Sequence, residues 1–378
     1  NGLENGVRKN FTGWATNSGF IWGRRTTMAY RGFKPGRWIQ FYNEDVPVIR
    51  EKVAGLDKLA PRNSLGGWRG GNNVVRKNKT GAFSLFGDYP EYQSIQIVTI
   101  SKGRHINEID IRENRKIAVI GQNVQDVLFE KGEDPIGDYI RIQGVYFKVV
   151  GIFRSERTGE QGSRDEQTIY LPFTTFQQAF KFGNRIGWFG FTVKEGFKAA
   201  EVEEGIKKVL MNIHDVHPDD VGALGSENLE KEFGQIIGLF AGISLFNWIV
   251  GIGTLLAGMI GVSNIMLIIV KERTKEIGIR KSIGATPLSI VSLIIQESVV
   301  LTAIAGYSGL VLGTFLMEGV RFAMNKFGMN DGMFRDPGID LNIALLAFII
   351  LIVCGALAGL IPAHKAAKIS PIEAIRQE

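Results

Sequence analysis

The sequence has little of the chemistry that an enzyme of this length would need. It contains a single cysteine, Cys354, so no disulfide can form within the chain. It contains neither a GxxxxGK[ST] phosphate loop nor an HExxH zinc motif, and no nucleophile has a visible partner base. We therefore expect no catalytic residue, no bound metal and no bound cofactor in this chain.

Charge is missing from one long stretch and thinly spread elsewhere. Lys, Arg, Asp and Glu are absent from Leu239 to Val270, whereas a soluble helix of that length would keep a charged face. The net charge of +6 over 378 residues is too dilute for the basic stripe that a nucleic-acid-binding surface needs. These patterns indicate a membrane protein and exclude nucleic acid as an expected partner.

Three apolar runs are long enough to cross a bilayer, which takes about 20 residues. They lie at residues 243–270, 288–317 and 341–362. Cytoplasmic loops carry an excess of Lys and Arg. The bridge between the first two runs, residues 271–287, holds five cations, and the tail at 363–378 is also basic. Both are therefore expected in the cytoplasm.

The opposite ends of these runs are expected outside the cytoplasm. The loop at 318–340 carries three basic and four acidic residues, and residues 1–240 lie on the same side of the first run. The sequence begins without Met and without a signal peptide. We therefore expect a further membrane helix before Asn1, which gives four helices with both ends of the protein in the cytoplasm.

The region 31–225 is predicted to be a mixed α+β domain of two lobes. Runs such as "SIQIVTI", "KIAVI", "QTIYLPF" and "WFGFTVK" predict strands, and "YIRIQGVYFKVVGIF" predicts a hairpin that turns at Gln143-Gly144. "NEDVPVIREKVAGLDKLAP" and "KAAEVEEGIKKVLMNIHDV" predict amphipathic helices. The most irregular segment, Leu65 to Tyr92, is either a contact for a client or adaptor or a connector between strands.

Two segments that flank this domain are predicted to form a stalk. Residues 1–30 form one, and 226–242 form the other, because no proline interrupts the chain from Ser226 to Pro287. A helix from Ser226 to Val270 would be about 68 Å long at a rise of ~1.5 Å per residue. That length exceeds the bilayer and would lift the domain off the membrane.

Small residues recur every four positions in the apolar runs, a spacing that lets helices pack closely in lipid. This pattern predicts a compact bundle or a dimer seam. Its members are Gly253, Ala257, Gly261, Gly309, Gly313, Gly355 and Gly359.

Two polar features remain open on the sequence alone. Glu297 lies inside the second apolar run and is either part of an ion relay with Gln296, Ser298 or Asn264, or a structural group that bonds a neighbouring helix end. The stretch "HDVHPDD", residues 214–220, has the residue types of a metal cluster but is equally typical of a plain surface.

Three ordered segments of the chain resemble one family. "INEIDIRENRKIAVIGQNVQDVLFEKGEDPIGDYIRIQGVYFKVVGIF" resembles the periplasmic core domain of MacB-type permeases. "KERTKEIGIRKSIGATPLSIVSLIIQESVVL" resembles the FtsX-like permease segment, and "LIPAHKAAKISPIEAIRQE" resembles the tail of that family. The resemblance implies a MacB/FtsX-type ABC transporter permease with four membrane helices and an extended stalk below a periplasmic domain.

The same resemblance implies that the bridge is a coupling helix, which docks on a separate cytoplasmic ATPase that binds ATP and Mg. The implied coupling residues are Lys271, Glu272, Arg273, Lys275, Glu276, Ile277, Arg280, Lys281 and Ile283. From the residues themselves, Glu276 and Arg280 are predicted to form an i, i+4 ion pair in the favourable order. The alternative for the bridge is a basic loop that only sets the topology.

The family suggests three functions for a multi-pass protein of the bacterial inner membrane. The first is export of a periplasmic client by mechanotransmission, with a second copy of the chain or a related permease, a periplasmic adaptor and an outer-membrane channel as partners beside the membrane lipid. The others are regulation of a cell-wall hydrolase, as in FtsX, and release of lipoproteins. The two-lobed outer domain favours export.

Overall fold

The computed structural model describes residues 13–66, 71–157, 159–326 and 341–370. The described chain divides between Ile237 and Gly238 into two compact units, here called the outer unit and the membrane unit. Parts of the predicted stalk segment at 1–30, of the loop at 318–340 and of the tail at 363–378 lie outside the described residues.

The outer unit is built on β-strands. Their bounds are β1 Ser18–Gly23, β2 Phe41–Tyr42, β3 Leu56–Leu65, β4 Asn72–Arg76, β5 Lys79–Asp88, β6 Val98–Gly103, β7 Ile117–Gly121, β8 Tyr139–Ile142, β9 Val145–Ser155, β10 Thr168–Pro172, β11 Arg185–Ile186, β12 Trp188–Val193 and β13 Leu224–Asn228.

Helices connect these strands and build most of the membrane unit. Their bounds are α1 Asp45–Lys52, α2 Glu108–Arg112, α3 Gln122–Leu128, α4 Gly159–Asp165, α5 Phe173–Ala179, α6 Ala199–Ile213, α7 Leu229–Glu272, α8 Thr274–Ser282, α9 Pro287–Lys326 and α10 Leu341–Ala367, with a 3₁₀ turn at Pro90–Ser94.

Eleven of the described strands form one sheet, which makes both lobes of the outer unit. Six of them close into a ring in the order β5-β10-β7-β9-β8-β4, because β5 pairs with β4 along its first half and with β10 along its second half. The strands β3, β12, β1 and β13 continue from β5 in the other direction. The predicted two-lobed α+β domain is therefore confirmed, and β5 belongs to both lobes.

Each lobe has its own apolar core. Side chains from the ring, such as Ile140, Phe147 and Ile169, point inward and are covered by α3 and α5. Side chains from the open part of the sheet, such as Phe189 and Phe191, pack with α1 and α6. The predicted helix "KAAEVEEGIKKVLMNIHDV" corresponds to α6, whose apolar positions recur at helical spacing.

A buried ion pair lies in this sheet where β3 meets β5. Arg62 donates two hydrogen bonds to Asp88, at 2.6 Å and 2.5 Å, and both side chains are 2% exposed. The guanidinium also lies over the ring of Tyr92, 3.4 Å from its centroid. Burial, a backbone hydrogen bond to Ile106 and the nearby charge of Arg62 act on His105, and the net effect is to lower its pKa to about 4.

The hairpin turn at Gln143-Gly144 is where the sequence placed it. Strands β8 and β9 pair as Ile142↔Val145, and the two residues between them have φ values of 45° and 86°. Positive φ at both positions is the signature of a type I′ turn, whose twist matches the flanking strands.

Two segments of the outer unit differ from their predictions. The helix expected over 43–61 ends at Lys52, because Gly55 adopts φ 78° and the chain continues as β3. The segment from Leu65 to Tyr92, expected to be irregular, contains the hairpin of β4 and β5, and Phe83 and Leu85 of β5 are core residues. Its described part is a structural element rather than a free contact loop.

The two predicted stalk segments also have a different structure from the one expected. Residues 18–23 of the first segment form β1, an inner strand between β12 and β13. The helix expected from Ser226 begins at Leu229, because Ser226 to Asn228 pair with β1. The Asn228 side chain then accepts a hydrogen bond from the amide of Lys231, as an N-cap residue does.

The membrane unit contains the three predicted membrane spans. Within the described residues, three helices are long and apolar enough to cross a membrane: Leu229–Glu272, Pro287–Met324 and Asn342–Ala367. The first is a single helix of 44 residues, and the second continues as helix to Lys326, past the predicted span end at residue 317.

Candidate functional site: the bridge between membrane helices

The bridge between the first two spans is a separate short helix. Helix α7 ends at Glu272, and α8 runs from Thr274 to Ser282. It stops because Gly284 adopts φ 105°, the left-handed conformation that ends many helices. Pro287 then opens α9 at the first helical position, where a missing N–H costs nothing. The sequence thus encodes two sharp breaks around a nine-residue helix.

One side of α8 is packed against the ends of the three spans. Ile277 is 5% exposed and lies in an apolar cluster that draws on every long helix of the unit. The other buried members are Met266 and Val270 from α7, Ile290 and Ile294 from α9, and Ala363 and Ala366 from α10. Ile277, one of the implied coupling residues, therefore anchors α8 to its own unit.

Lys281 ties α8 to the end of the third span. Its ammonium group donates hydrogen bonds to the carbonyl oxygens of Ala367 at 2.6 Å and of Ile369 at 2.9 Å. Carbonyls at a helix end lack intrahelical partners and carry partial negative charge, so a cation satisfies them well. Lys281 is one of the implied coupling residues, and its ammonium group is bonded within the membrane unit.

Glu297 in the second span pairs with Arg273 at the junction of α7 and α8. The Arg273 Nη1 atom lies 3.0 Å and 3.3 Å from the two carboxylate oxygens. Of the polar neighbours considered from the sequence, Ser298 is buried and donates to the carbonyl of Ile294. The contact fits the structural interpretation of Glu297, with a partner that the sequence did not reveal.

The opposite side of α8 is exposed. Glu276 and Arg280 form the predicted i, i+4 ion pair at 2.7 Å. Ile283 is 82% exposed and Ile279 is 46% exposed. Ile279 was not among the predicted coupling residues, although its position two residues after the buried Ile277 places it on another face. The remaining predicted residues, Lys271, Glu272, Arg273 and Lys275, are also exposed.

The small residues of the spans divide into two groups. A Cβ added to Gly355 would lie 2.4 Å from Thr302 Oγ1, and one added to Gly359 would lie 2.6 Å from Ser298 Oγ. These two glycines allow α10 to pack closely on α9. A Cβ added at Gly253, Gly261, Gly309 or Gly313 would meet no described atom within 4 Å, and Ala257 is exposed.

An apolar cavity of about 680 Å³ lies between the spans of the membrane unit. Gly309 and Gly313 of α9 line it together with Met259 of α7 and Phe348 of α10. The glycines of α9 thus border open space rather than a helix contact within the described chain.

Side chains of the histidine stretch, residues 214–220, bond to other parts of the outer unit. His214 Nε2 lies 2.9 Å from a carboxylate oxygen of Asp45. The side chain of Asp220 accepts hydrogen bonds from the amides of Thr27 and Met28. Among the described residues, no three His, Cys, Asp or Glu side chains are grouped as metal ligands would be.

Two family models match the sequence of this chain, one over each part. The model of the MacB-like periplasmic core domain matches residues 1–209, and the model of the FtsX-like permease C-terminal region matches residues 248–371. The chain belongs to the MacB/FtsX family of ABC transporter permeases. It is a membrane permease, and its outer unit is the periplasmic domain of this family.

Individual relatives agree with the family assignment. An uncharacterized ABC transporter permease of Methanocaldococcus jannaschii is 30% identical over 342 residues, which are 89% of this chain and 80% of that protein. The macrolide export ATP-binding/permease protein MacB of Bdellovibrio bacteriovorus is 28% identical over 89% of this chain. The alignment spans 49% of that MacB protein, so this chain covers about half of its length.

A further relative carries a name that points to export, and a solved structure matches the outer unit. The pyoverdine export ATP-binding/permease protein PvdT of Pseudomonas entomophila is 28% identical over 82% of this chain and 45% of its own length. Among solved structures, the periplasmic region of MacB from Actinobacillus actinomycetemcomitans is 17% identical with a TM-score of 0.47, and covers 60% of this chain and 95% of that one.

Proposed function

We propose that this chain is the permease subunit of an exporter, and that the bridge helix α8 receives force from a cytoplasmic ABC ATPase. The ATPase would be a separate subunit that binds ATP and Mg. The observation that carries the proposal is the two-sided character of α8, which is anchored through Ile277 and Lys281 and exposed along Glu276, Arg280 and Ile283.

The anchoring supports a role in transmission. The contacts of Ile277 reach the end of α7, the start of α9 and the end of α10, so a displacement of α8 would move all three helix ends together. Packed interiors resist compression and transmit strain. A loop that only set the topology would need neither this cluster nor the hydrogen bonds from Lys281.

Helix α7 includes residues of both units, since the division between them falls after Ile237. It runs without interruption from Leu229 to Glu272, which is about 66 Å at a rise of ~1.5 Å per residue. Its first residue, Leu229, is buried with Phe20, Tyr92 and Ile95 of the outer unit. In the proposed mechanism, force applied at the bridge enters α7, and a client of the periplasmic domain is driven onward.

Export of a periplasmic client is the function that the relatives favour, because two of them are named for macrolide export and pyoverdine export. The proposed assembly contains two permease copies, or this chain with a related permease, in a bacterial inner membrane. A periplasmic adaptor and an outer-membrane channel complete it. The exposed small residues Gly253, Ala257 and Gly261 on α7 suit close approach of the second copy.

The proposal is tested by reversing charge on the exposed side of α8 while the helix stays intact. The double variant Glu276→Lys/Arg280→Glu keeps an i, i+4 pair but inverts its direction, and Ile283→Asp removes the apolar contact. We expect loss of co-purification with the ATPase and of stimulated ATP hydrolysis in lipid. If the variant that combines all three substitutions assembles and hydrolyses ATP as the wild type does, the proposal is wrong, and the bridge is a basic loop that only sets the topology.

A further inference from the structure

A cleft on the surface of the membrane unit has one charged end and one apolar side. It has a volume of about 500 Å³ and lies between the junction of α7 and α8 and the first half of α9. Arg273 and Arg280 line its charged end, and Leu293, Val300 and Ile304 line its apolar side. It shares Leu301 with the apolar cavity between the three spans, and its other lining residues are different.

The charged end keeps hydrogen-bond donors free for an anion. Arg273 bonds Glu297 through Nη1, and Arg280 bonds Glu276 through Nη2. A guanidinium has five N–H donors, so each arginine retains donors beyond its described ion pair. Among the residues that line the cleft, the two arginines outnumber the one carboxylate, which is that of Glu297.

The apolar side has the length of one bilayer leaflet. Leu293, Val300 and Ile304 follow one face of α9 and are 40%, 58% and 65% exposed. From Leu293 to Ile304 the helix rises about 16 Å, and half of a hydrocarbon core is about 15 Å. A small inorganic anion would use the arginines but leave this apolar face unused.

We infer that the cleft binds one anionic phospholipid from the leaflet at the bridge end of the spans. Its phosphate lies between Arg273 and Arg280, and one acyl chain follows Leu293, Val300 and Ile304. Basic pockets between membrane helices bind anionic head groups in this manner. Because α8 carries Arg280, the bound lipid would hold the bridge helix against α9, a role that is independent of any ATPase.

The experiment uses the full permease without an ATPase, so its outcome does not depend on the proposed coupling function. The purified protein is titrated with phosphatidylglycerol or phosphatidylcholine, and native mass spectrometry counts the lipid that each molecule retains. The cleft variant is Arg280→Gln. The matched control is Lys275→Gln, which removes the same charge from the same helix at a position that does not line the cleft.

We expect phosphatidylglycerol to be retained in preference to phosphatidylcholine. The Arg280→Gln variant should weaken phosphatidylglycerol binding about tenfold, the value of one charge-assisted hydrogen bond, whereas Lys275→Gln should weaken it by less than twofold. Equal retention of the two lipids, or equal effects of the two variants, would overturn the inference. Complete displacement by millimolar inorganic phosphate would also overturn it, because the site would then be one for a free anion.

Discussion

The ammonium group of Lys281 in the bridge lies 2.6 Å from the carbonyl oxygen of Ala367, at the end of the third span. The contact joins residues that are 86 positions apart in the sequence. It links α8, on which the ATPase is proposed to act, to α10, which is not its neighbour along the chain. The position of α8 therefore depends on the whole membrane unit, not only on its two flanking helices.

Removal of this link should loosen α8 without unfolding the protein. In Lys281→Met, the carbonyls of Ala367 and Ile369 lose their donor, and the last turn of α8 loses an anchor. We expect amide hydrogen exchange in the peptide covering Thr274–Ser282 to become at least about tenfold faster, since two hydrogen bonds from a charged group are lost. Lys275→Met, an exposed site on the same helix, should leave exchange unchanged. Equal acceleration in both variants would refute the anchoring role.

The two isoleucines of the predicted coupling set should behave differently. Ile277 is 5% exposed and Ile283 is 82% exposed. Ile277→Ala should lower the free energy of unfolding by about 2–5 kcal/mol, because it leaves a cavity among packed side chains. Ile283→Ala should change it by less than about 0.5 kcal/mol. Denaturant or thermal unfolding of the full permease in detergent measures both, and similar losses would contradict the described packing.

Close packing of the second and third spans should depend on Gly359. A side chain there would collide with Ser298, whose Oγ lies 2.6 Å from the position of an added Cβ. Gly359→Val should therefore destabilise the membrane unit by about 1–3 kcal/mol, as overpacking does. The matched control is Gly313→Val, since a Cβ at Gly313 meets no described atom within 4 Å. If thermal unfolding shows the same loss for both, the steric argument fails.

Acid should destabilise the periplasmic domain through His105. The folded state lowers the pKa of this imidazole from 6.5 to about 4, mainly by burial. Below pH 6.5 the imidazole is therefore protonated in the unfolded chain, whereas in the folded domain it stays neutral until about pH 4. The stabilising contribution is fully present above pH 6.5 and is lost as the pH falls through this window.

The two histidine variants isolate this effect. We expect His105→Gln to reduce the decline in unfolding temperature as the pH falls from 6.5 to about 5, above the range in which carboxylates titrate, measured by intrinsic fluorescence. His217→Gln replaces a histidine at the domain surface and should retain the decline. A decline that persists unchanged in His105→Gln would assign the acid sensitivity to other groups.

Local patterns in the sequence predict several features of this protein correctly. The three spans follow from long uncharged apolar runs, and the ion pair of Glu276 and Arg280 follows from helical spacing. The turn at Gln143-Gly144 follows from its residue types. Each of these features depends on neighbours within a few positions, which the sequence presents directly.

The contacts that anchor the bridge join residues far apart in the sequence, so local patterns could not predict them. The partner of Glu297 is Arg273, 24 positions earlier, and the partners of Lys281 lie at the end of another helix. Helical spacing places Ile277 and Ile283 on different sides of the bridge, but it does not tell which of the two sides is buried. Likewise, the closure of the ring through β5 and β10 pairs Ser84 with Thr168, a contact that only the folded sheet reveals.

Cross-linking from the exposed side of α8 tests the central claim most directly. A photo-reactive amino acid is placed at Ile283, and the permease is assembled with its ATPase in lipid. The same residue at Tyr307 of α9, which is 64% exposed in an apolar span, provides the control. The account predicts a covalent adduct with the ATPase from position 283 and none from position 307. An assembled complex that gives no ATPase adduct from position 283 would contradict it.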